Sequence, residues 1–189
     1  TMVAPGWGKY DPLMRSWAAP VTERMIELAS IRRGSHVLDI ACGAGEPALT
    51  VAETVGPNGS VLATDFVAEM VGFASSKAKL RALSNIEFRC VDGEVLDAPV
   101  GAFDAVTMRW GLMFMPDPVA CMRHVNTALK PGGKAVVCCW TEAANNPFVT
   151  VPLGVLKRHM EVPTPPADAP GIFALANPDR LRAIFAEAG

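Results

Sequence analysis

Short, almost solid apolar runs punctuate this chain, and the stretches between them carry a helical period. His36-Val37-Leu38-Asp39-Ile40-Ala41, Ser60-Val61-Leu62-Ala63-Thr64-Asp65 and Ile86-Glu87-Phe88-Arg89-Cys90-Val91 are the first three runs. Phe103-Asp104-Ala105-Val106-Thr107-Met108 and Ala135-Val136-Val137-Cys138-Cys139-Trp140 complete five. Runs this apolar suit strands covered on both faces, as in parallel sheets. Between them Val67, Met70, Val71, Ala74 and Ala78 recur on one face of a helix. Asp117-Pro118 reads as an N-cap followed by a proline in the first turn, with Cys121, Met122, Val125, Ala128 and Leu129 as the apolar stripe. Lys130-Pro131-Gly132-Gly133 is expected to end that helix. Asn177-Pro178-Asp179 opens a last helix with Leu181, Ile184, Phe185 and Ala188 on one side. The gap from Asp92 to Ala102 is near the minimum for a parallel crossover and too short for a long helix. The pattern predicts an α/β fold with a doubly wound, mainly parallel, Rossmann-like sheet.

The expected organisation is a single domain over 1–189. It comprises an N-terminal helical cap segment (1–33), a Rossmann-like core (34–142), and a loop plus C-terminal helix (143–189). The Pro-rich stretch Val162 to Pro170 reads as loop. Composition narrows the partners. Lys and Arg number 17 against 19 Asp and Glu, a formal net charge of −2, so a large nucleic-acid footprint is not expected. No apolar run approaches the ~18 residues of a membrane helix, and Thr1 to Lys9 has no signal-like pattern. A cytoplasmic protein acting on a small molecule is the expectation. The five cysteines, Cys42, Cys90, Cys121, Cys138 and Cys139, include no C-x-x-C pair. They read as buried reduced thiols, and no metal site is expected.

The candidate chemistry lies at strand ends. Sheets of this kind bind ligands at the carboxyl ends of the strands, where the strand order reverses. The loop Ala41-Cys42-Gly43-Ala44-Gly45 follows the first strand and leads into a helix, whose free N–H groups favour a carboxylate or phosphate. Pro47 suits the first turn of that helix. The loop alone is ambiguous, because Gly43-Ala44-Gly45-Glu46-Pro47-Ala48 also satisfies the dinucleotide fingerprint, and Asp65 follows at ribose-binding distance. Asp39, four residues before Gly43, would repel a nearby pyrophosphate but suit an amino-acid ammonium. Asp92-Gly93, after the third strand, offers an acceptor for an adenine amino group. A second domain to supply a hydride acceptor site is not expected. These features favour S-adenosylmethionine (SAM; product S-adenosylhomocysteine, SAH) over NAD. The three acids also have structural readings: Asp39 tying down loop amides, Asp65 as a helix N-cap, Asp92 as a solvated turn residue.

Val37-Leu38-Asp39-Ile40-Ala41-Cys42-Gly43-Ala44-Gly45, Ala63-Thr64-Asp65, Val91-Asp92-Gly93-Glu94, Phe103-Asp104-Ala105-Val106 and Leu129-Lys130-Pro131-Gly132-Gly133 resemble the successive motifs of class I SAM-dependent methyltransferases. The resemblance is greatest to the ubiquinone/menaquinone-biosynthesis type and runs from about Tyr10 to the C-terminus. It implies that Asp39 and the loop residues Ala41, Gly43 and Gly45 hold the methionine moiety, Asp65 the ribose and Asp92 with Gly93 the adenine. It also implies Phe66 and Met70 near the adenosine, and Arg109 and Trp110 near the methionine end. Ala41 stands where the motif usually has its first glycine. Members ordinarily continue into two more strands, one antiparallel. With the sequence ending at Gly189, the fifth strand is expected to be an uncovered apolar edge, and a homodimer covering it is expected.

For the acceptor, Trp7, Tyr10, Leu13, Met14 and Trp17, with Trp110, Met113, Phe114 and Met115 after the fourth strand, suggest a pocket for a flat apolar molecule. The same residues would also serve to pack the N-terminal helix on the sheet. A quinone precursor or a polycyclic natural product would fit, methylated on oxygen or carbon. His124 and His159 are the visible bases, and neither is singled out as catalytic. A non-catalytic SAM-binding protein and an NAD-binding dehydrogenase domain remain the alternatives.

Overall fold

The computed structural model describes residues 4–163, 166 and 169–189, and the side chains of 4–9 and 11 lie outside that description. Five strands, β1 (His36–Ile40), β2 (Ser60–Asp65), β3 (Ile86–Cys90), β4 (Phe103–Arg109) and β5 (Leu129–Cys138), form one sheet in the order β3-β2-β1-β4-β5. Every neighbouring pair is parallel. The order reverses between β1 and β4, so the chain's crevice opens above the carboxyl ends of those two strands. The expected α/β class and doubly wound sheet are what the chain forms.

Period-two alternation divides the core between the two faces of the sheet. Val37, Val61, Ala63 and Ala105 pack with Val51, Ala52 and Val55 of helix α2 (Ala48–Val55). Leu38, Ile40, Leu62, Val106 and Met108 pack on the other face with Cys121, Met122 and Val125 of α4 (Pro118–Ala128) and Ile184 of α6 (Pro178–Ala188). The caps of these last two helices are as expected. Asp117 Oδ1 accepts from Ala120 N, and Asn177 Oδ1 accepts from Asp179 N. Helix α3 (Ala68–Leu80) follows β2, and only a short 3-10 turn, Gly93–Val95, fills the gap between β3 and β4.

Helix α1 (Ala4–Leu28) contains Pro12 and Pro20. Its C-terminal half is docked through Ala18, Thr22 and Met25, whereas Tyr10, Leu13 and Trp17 are exposed.

Three expectations are corrected. Strand β5 begins at Leu129, which pairs with Phe103, and Ala105 pairs with Lys134, so Lys130–Gly133 bulges out of a strand already started. Lys130-Pro131-Gly132-Gly133 is therefore a bulge after the helix end, with Cys139 and Trp140 past the strand. A helix absent from the sequence reading, α5 (Pro147–Leu156), follows a 3-10 turn at Ala143–Asn145. It is apolar nearly all round, with Pro152 and Gly154 inside it, so it shows no amphipathic period to detect. Cys90 is exposed, while Cys42 and Cys121 are buried as expected and Cys138 and Cys139 are half-buried.

Candidate active site at the β1–β4 crevice

Asp39 and Thr107 are paired across β1 and β4. Both are completely buried, and Thr107 Oγ1 donates to Asp39 Oδ1. Asp39 Oδ2 has no hydrogen-bond partner. A buried carboxylate oxygen left bare costs on the order of 1–3 kcal/mol or more, so such an atom points to a missing donor. Burial raises the Asp39 pKa from 3.8 to about 7, against the opposing effects of the Thr107 hydrogen bond and the nearby Arg109 charge.

The loop after β1 needs left-handed backbone at three places. Ala41 has φ +58°, Gly43 +53° and Gly45 +109°. A Cβ on Gly43 would meet nothing within 4 Å, so its crevice side is open, whereas one on Gly45 would strike Leu49 Cδ1 at 2.7 Å. Asp65 braces this turn: its Oδ2 accepts from Gly43 N at 2.8 Å and its Oδ1 from Val67 N at 2.9 Å. Asp65 thus anchors the loop and holds the amide of Val67, the N-cap residue of α3, while its side chain does not cap the helix itself; each oxygen keeps a further lone pair for another donor. Phe66, beside it, is 71% exposed and therefore outside the core; Met70 is half-buried.

Asp92 is exposed and caps the 3-10 turn by accepting from Glu94 N. Gly93 is buried, and a Cβ there would meet Met115, Ile40 and Cys121 side chains. Its missing side chain therefore serves packing inside the protein.

Arg109 closes the other wall. Its guanidinium donates to Thr22 Oγ1 of α1 at 2.7 Å and to the Glu46 carbonyl at 3.0 Å, and it stacks on the Trp110 ring at 4.8 Å. Its Nε is buried without a partner. Burial lowers the Arg109 pKa, while Asp39 and Glu46 act to raise it. Glu46, which the sequence reading did not single out, is the hub of the loop. Its side chain, 6% exposed, bridges Arg81 at 3.0 Å and Arg15 at 3.3 Å. It also accepts from Thr50 Oγ1 at 2.6 Å. An acid next to Pro47 was visible, but its arginine partners are 31 and 35 residues away.

Trp17 and Trp110 come together at 5.7 Å between ring centroids. Trp140 and Phe148, not expected at the site, complete the cluster: Trp110 and Trp140 stack at 4.7 Å and 3°, and Trp140 lies 5.0 Å from Phe148. Tyr10, Leu13 and Phe114 are exposed and Met14 is half-buried. Met113, at 2% exposure, belongs to the core cluster, which corrects its expected place in the acceptor pocket. Trp7 lies outside the described side chains. His124 is engaged with the Glu94 carbonyl at 3.1 Å, and His159 is exposed after α5. Among the described residues no cluster of His, Cys, Asp or Glu could hold a metal ion.

Residues 14–159 match the model of the ubiE/COQ5 methyltransferase family. The chain belongs to this family. Demethylmenaquinone methyltransferase of Lactococcus lactis is 37% identical over 132 residues, covering 70% of this chain and 50% of that protein. The Staphylococcus carnosus enzyme of the same name is 35% identical over 116 residues, 60% and 46% of the two chains. The chain thus spans about half the length of these relatives. Among solved structures, a putative SAM-dependent methyltransferase from Methanococcus maripaludis aligns with 98% of this chain and 83% of its own (TM-score 0.74, 18% identity). The cyclase SpnF aligns with 71% of this chain and 58% of its own (TM-score 0.59, 28% identity). Membership of a methyltransferase family sets the dehydrogenase alternative aside.

Proposed function

We propose that the crevice binds SAM and that the chain carries out methyl transfer to a flat apolar aromatic acceptor such as a quinone precursor, on oxygen or carbon. The observation that carries the reading is the bare Asp39 Oδ2, buried beside a loop whose Gly43 face is open. An amino-acid ammonium is the donor such an oxygen lacks, and the loop amides suit the adjoining carboxylate. Asp65 would accept from ribose hydroxyls with its remaining lone pairs, and Asp92 from the adenine amino group. Phe66 and Met70 would flank the adenosine. When bound, SAM supplies an electrophilic methyl group on its sulfonium. The protein's part is to hold donor and acceptor in line and exclude water, which needs no covalent nucleophile. Arg109 is fixed at both ends, so its charge and the Trp110 ring beneath it stay aimed at the methionine end.

The aromatic cluster supports the acceptor class. Trp17, Trp110, Trp140 and Phe148 present stacking surface beside Arg109, and Tyr10, Met14 and Phe114 are the further acceptor residues of this reading. Calorimetric titration with SAM, SAH and NAD, followed by turnover on phenol and quinol acceptors, tests the reading. SAM and SAH are expected to bind and NAD to fail. Binding of SAM without turnover on any acceptor would leave the non-catalytic alternative.

Self-association belongs to the same proposal. Strand β5 ends the sheet, and a groove of about 520 Å³ runs beside it, with Val21, Met25, Leu28, Val137 and Leu181 among its lining. Edges of this kind recruit partners. A monomer by light scattering at micromolar concentration would sink the homodimer.

A further inference from the structure

The turn after β1 and the turn after β4 come close where Ala41 faces Gly111. Gly111 has φ −99° and ψ −49°, a right-handed conformation open to any residue. Its backbone does not need glycine. Its surroundings do: a Cβ at Gly111 would lie 2.5 Å from Ala41 Cβ, closer than real carbon atoms approach, and 3.1 Å from Met108 Cγ. Met108 is a flexible side chain that could give way. Ala41 Cβ cannot, since it is fixed to a backbone held at φ +58°.

Both turns are pinned on their far sides. Cys42 N donates to Thr64 O at 2.9 Å and Gly43 N to Asp65 Oδ2, which hold the loop against β2. Trp110 N donates to Cys138 O at 2.8 Å and Arg109 to Thr22 Oγ1, which hold the other turn, while the bond from Arg109 to the Glu46 carbonyl ties the two turns together. A side chain at 111 would have to push one of these anchored turns away from the other. The Gly43 amide, the Asp65 carboxylate and Arg109 would shift with it. We infer that Gly111 is a positioning residue for the cofactor loop, its missing side chain being the complement of the Ala41 methyl that stands in the usual glycine position of the motif. The inference rests on the crevice being the SAM site.

Gly111→Ala, Ala41→Gly and the double variant test it, with SAH as the calorimetric probe and circular dichroism and thermal melting as fold controls. Gly111→Ala is expected to stay folded but to lose SAH affinity on the order of ten-fold. Adding Ala41→Gly removes the methyl in the way, and the double variant should regain most of that loss, measured against Ala41→Gly alone. Unchanged SAH affinity in Gly111→Ala would overturn the inference. So would a loss that Ala41→Gly fails to rescue, or a lower melting temperature with undiminished affinity, which is what a merely structural contact would give. Failure of the unaltered protein to bind SAH would instead overturn the SAM reading, and this inference with it.

Discussion

The two sides of Trp110 are built on opposite plans. Toward β1, the crevice is lined by buried polar groups: Asp39 and Thr107 are fully enclosed, Asp65 and Glu46 nearly so, and almost every oxygen has an assigned donor. Toward β5, the surface is aromatic and partly open, with Trp17 and Phe148 about half exposed and α5 without a buried residue. Buried polar groups fix one geometry because any misfit leaves an unpaired atom. Stacked rings hold their partners through broad, non-directional contact. The first plan suits a ligand that never varies, the second an acceptor chosen mainly by shape and apolarity.

Removing Asp39 should break this contrast most sharply. Asp39→Ala is expected to weaken SAH binding by about 2–3 kcal/mol, the value of a charge-assisted hydrogen bond lost from a buried site. Trp140→Ala should leave SAH affinity within a few-fold, and calorimetry on both variants decides. Asp65→Ala comes next, at about 1–3 kcal/mol, because it strips acceptors from the ribose and releases the Gly43 amide; unchanged affinity would refute its role. On the open side, Trp110→Ala and Trp140→Ala should each cost about 0.5–1.5 kcal/mol in acceptor binding, read as a raised KM. A fall in kcat with KM unchanged would mean that the rings position the reaction and do not recognise the acceptor.

The smallest effect is in pH. Burial raises the Asp39 pKa from 3.8 to about 7, so the acid ionises only as pH rises through about 7. The fold therefore favours the neutral acid, and stability falls progressively as pH rises from about 4 to about 7, where the unfolded carboxyl ionises and the folded one does not. An ammonium ligand wants the ionised form, so SAH affinity should climb between about pH 6 and 8, with release of protons on binding. Asp39→Asn should flatten that slope. It should also raise the melting temperature more at pH 8 than at pH 5. A slope that survives in Asp39→Asn would assign the titration elsewhere.

The crevice side was the more legible in sequence for the same reason that it is the more constrained. Its acids sit at strand ends, and a strand end followed by a glycine or a cap is a local pattern. Strand β2 was bounded correctly, as were the starts of α4 and α6, because Asp117-Pro118 and Asn177-Pro178 carry their own stop-and-start chemistry. Glu46 escaped notice since its meaning lies in Arg15 and Arg81, and no local pattern encodes a remote ion pair. On the aromatic side, Trp140 and Phe148 reach the site only through the course of the chain after β5. Helix α5 was missed because a helix apolar on every side has no period. That a Cβ on Gly93 would meet the core side chains Met115, Ile40 and Cys121 is a packing fact that spacing alone does not show.

The aromatic stack has a practical consequence. The protein has four tryptophans, and Trp17, Trp110 and Trp140 all lie in that one cluster. Two of their indoles, Trp110 and Trp140, stack nearly parallel and in contact, so their transitions couple. Most of the near-ultraviolet circular dichroism and intrinsic fluorescence should then originate at a single corner of the molecule. The domain thus carries a built-in optical reporter at its proposed acceptor surface, read without any label.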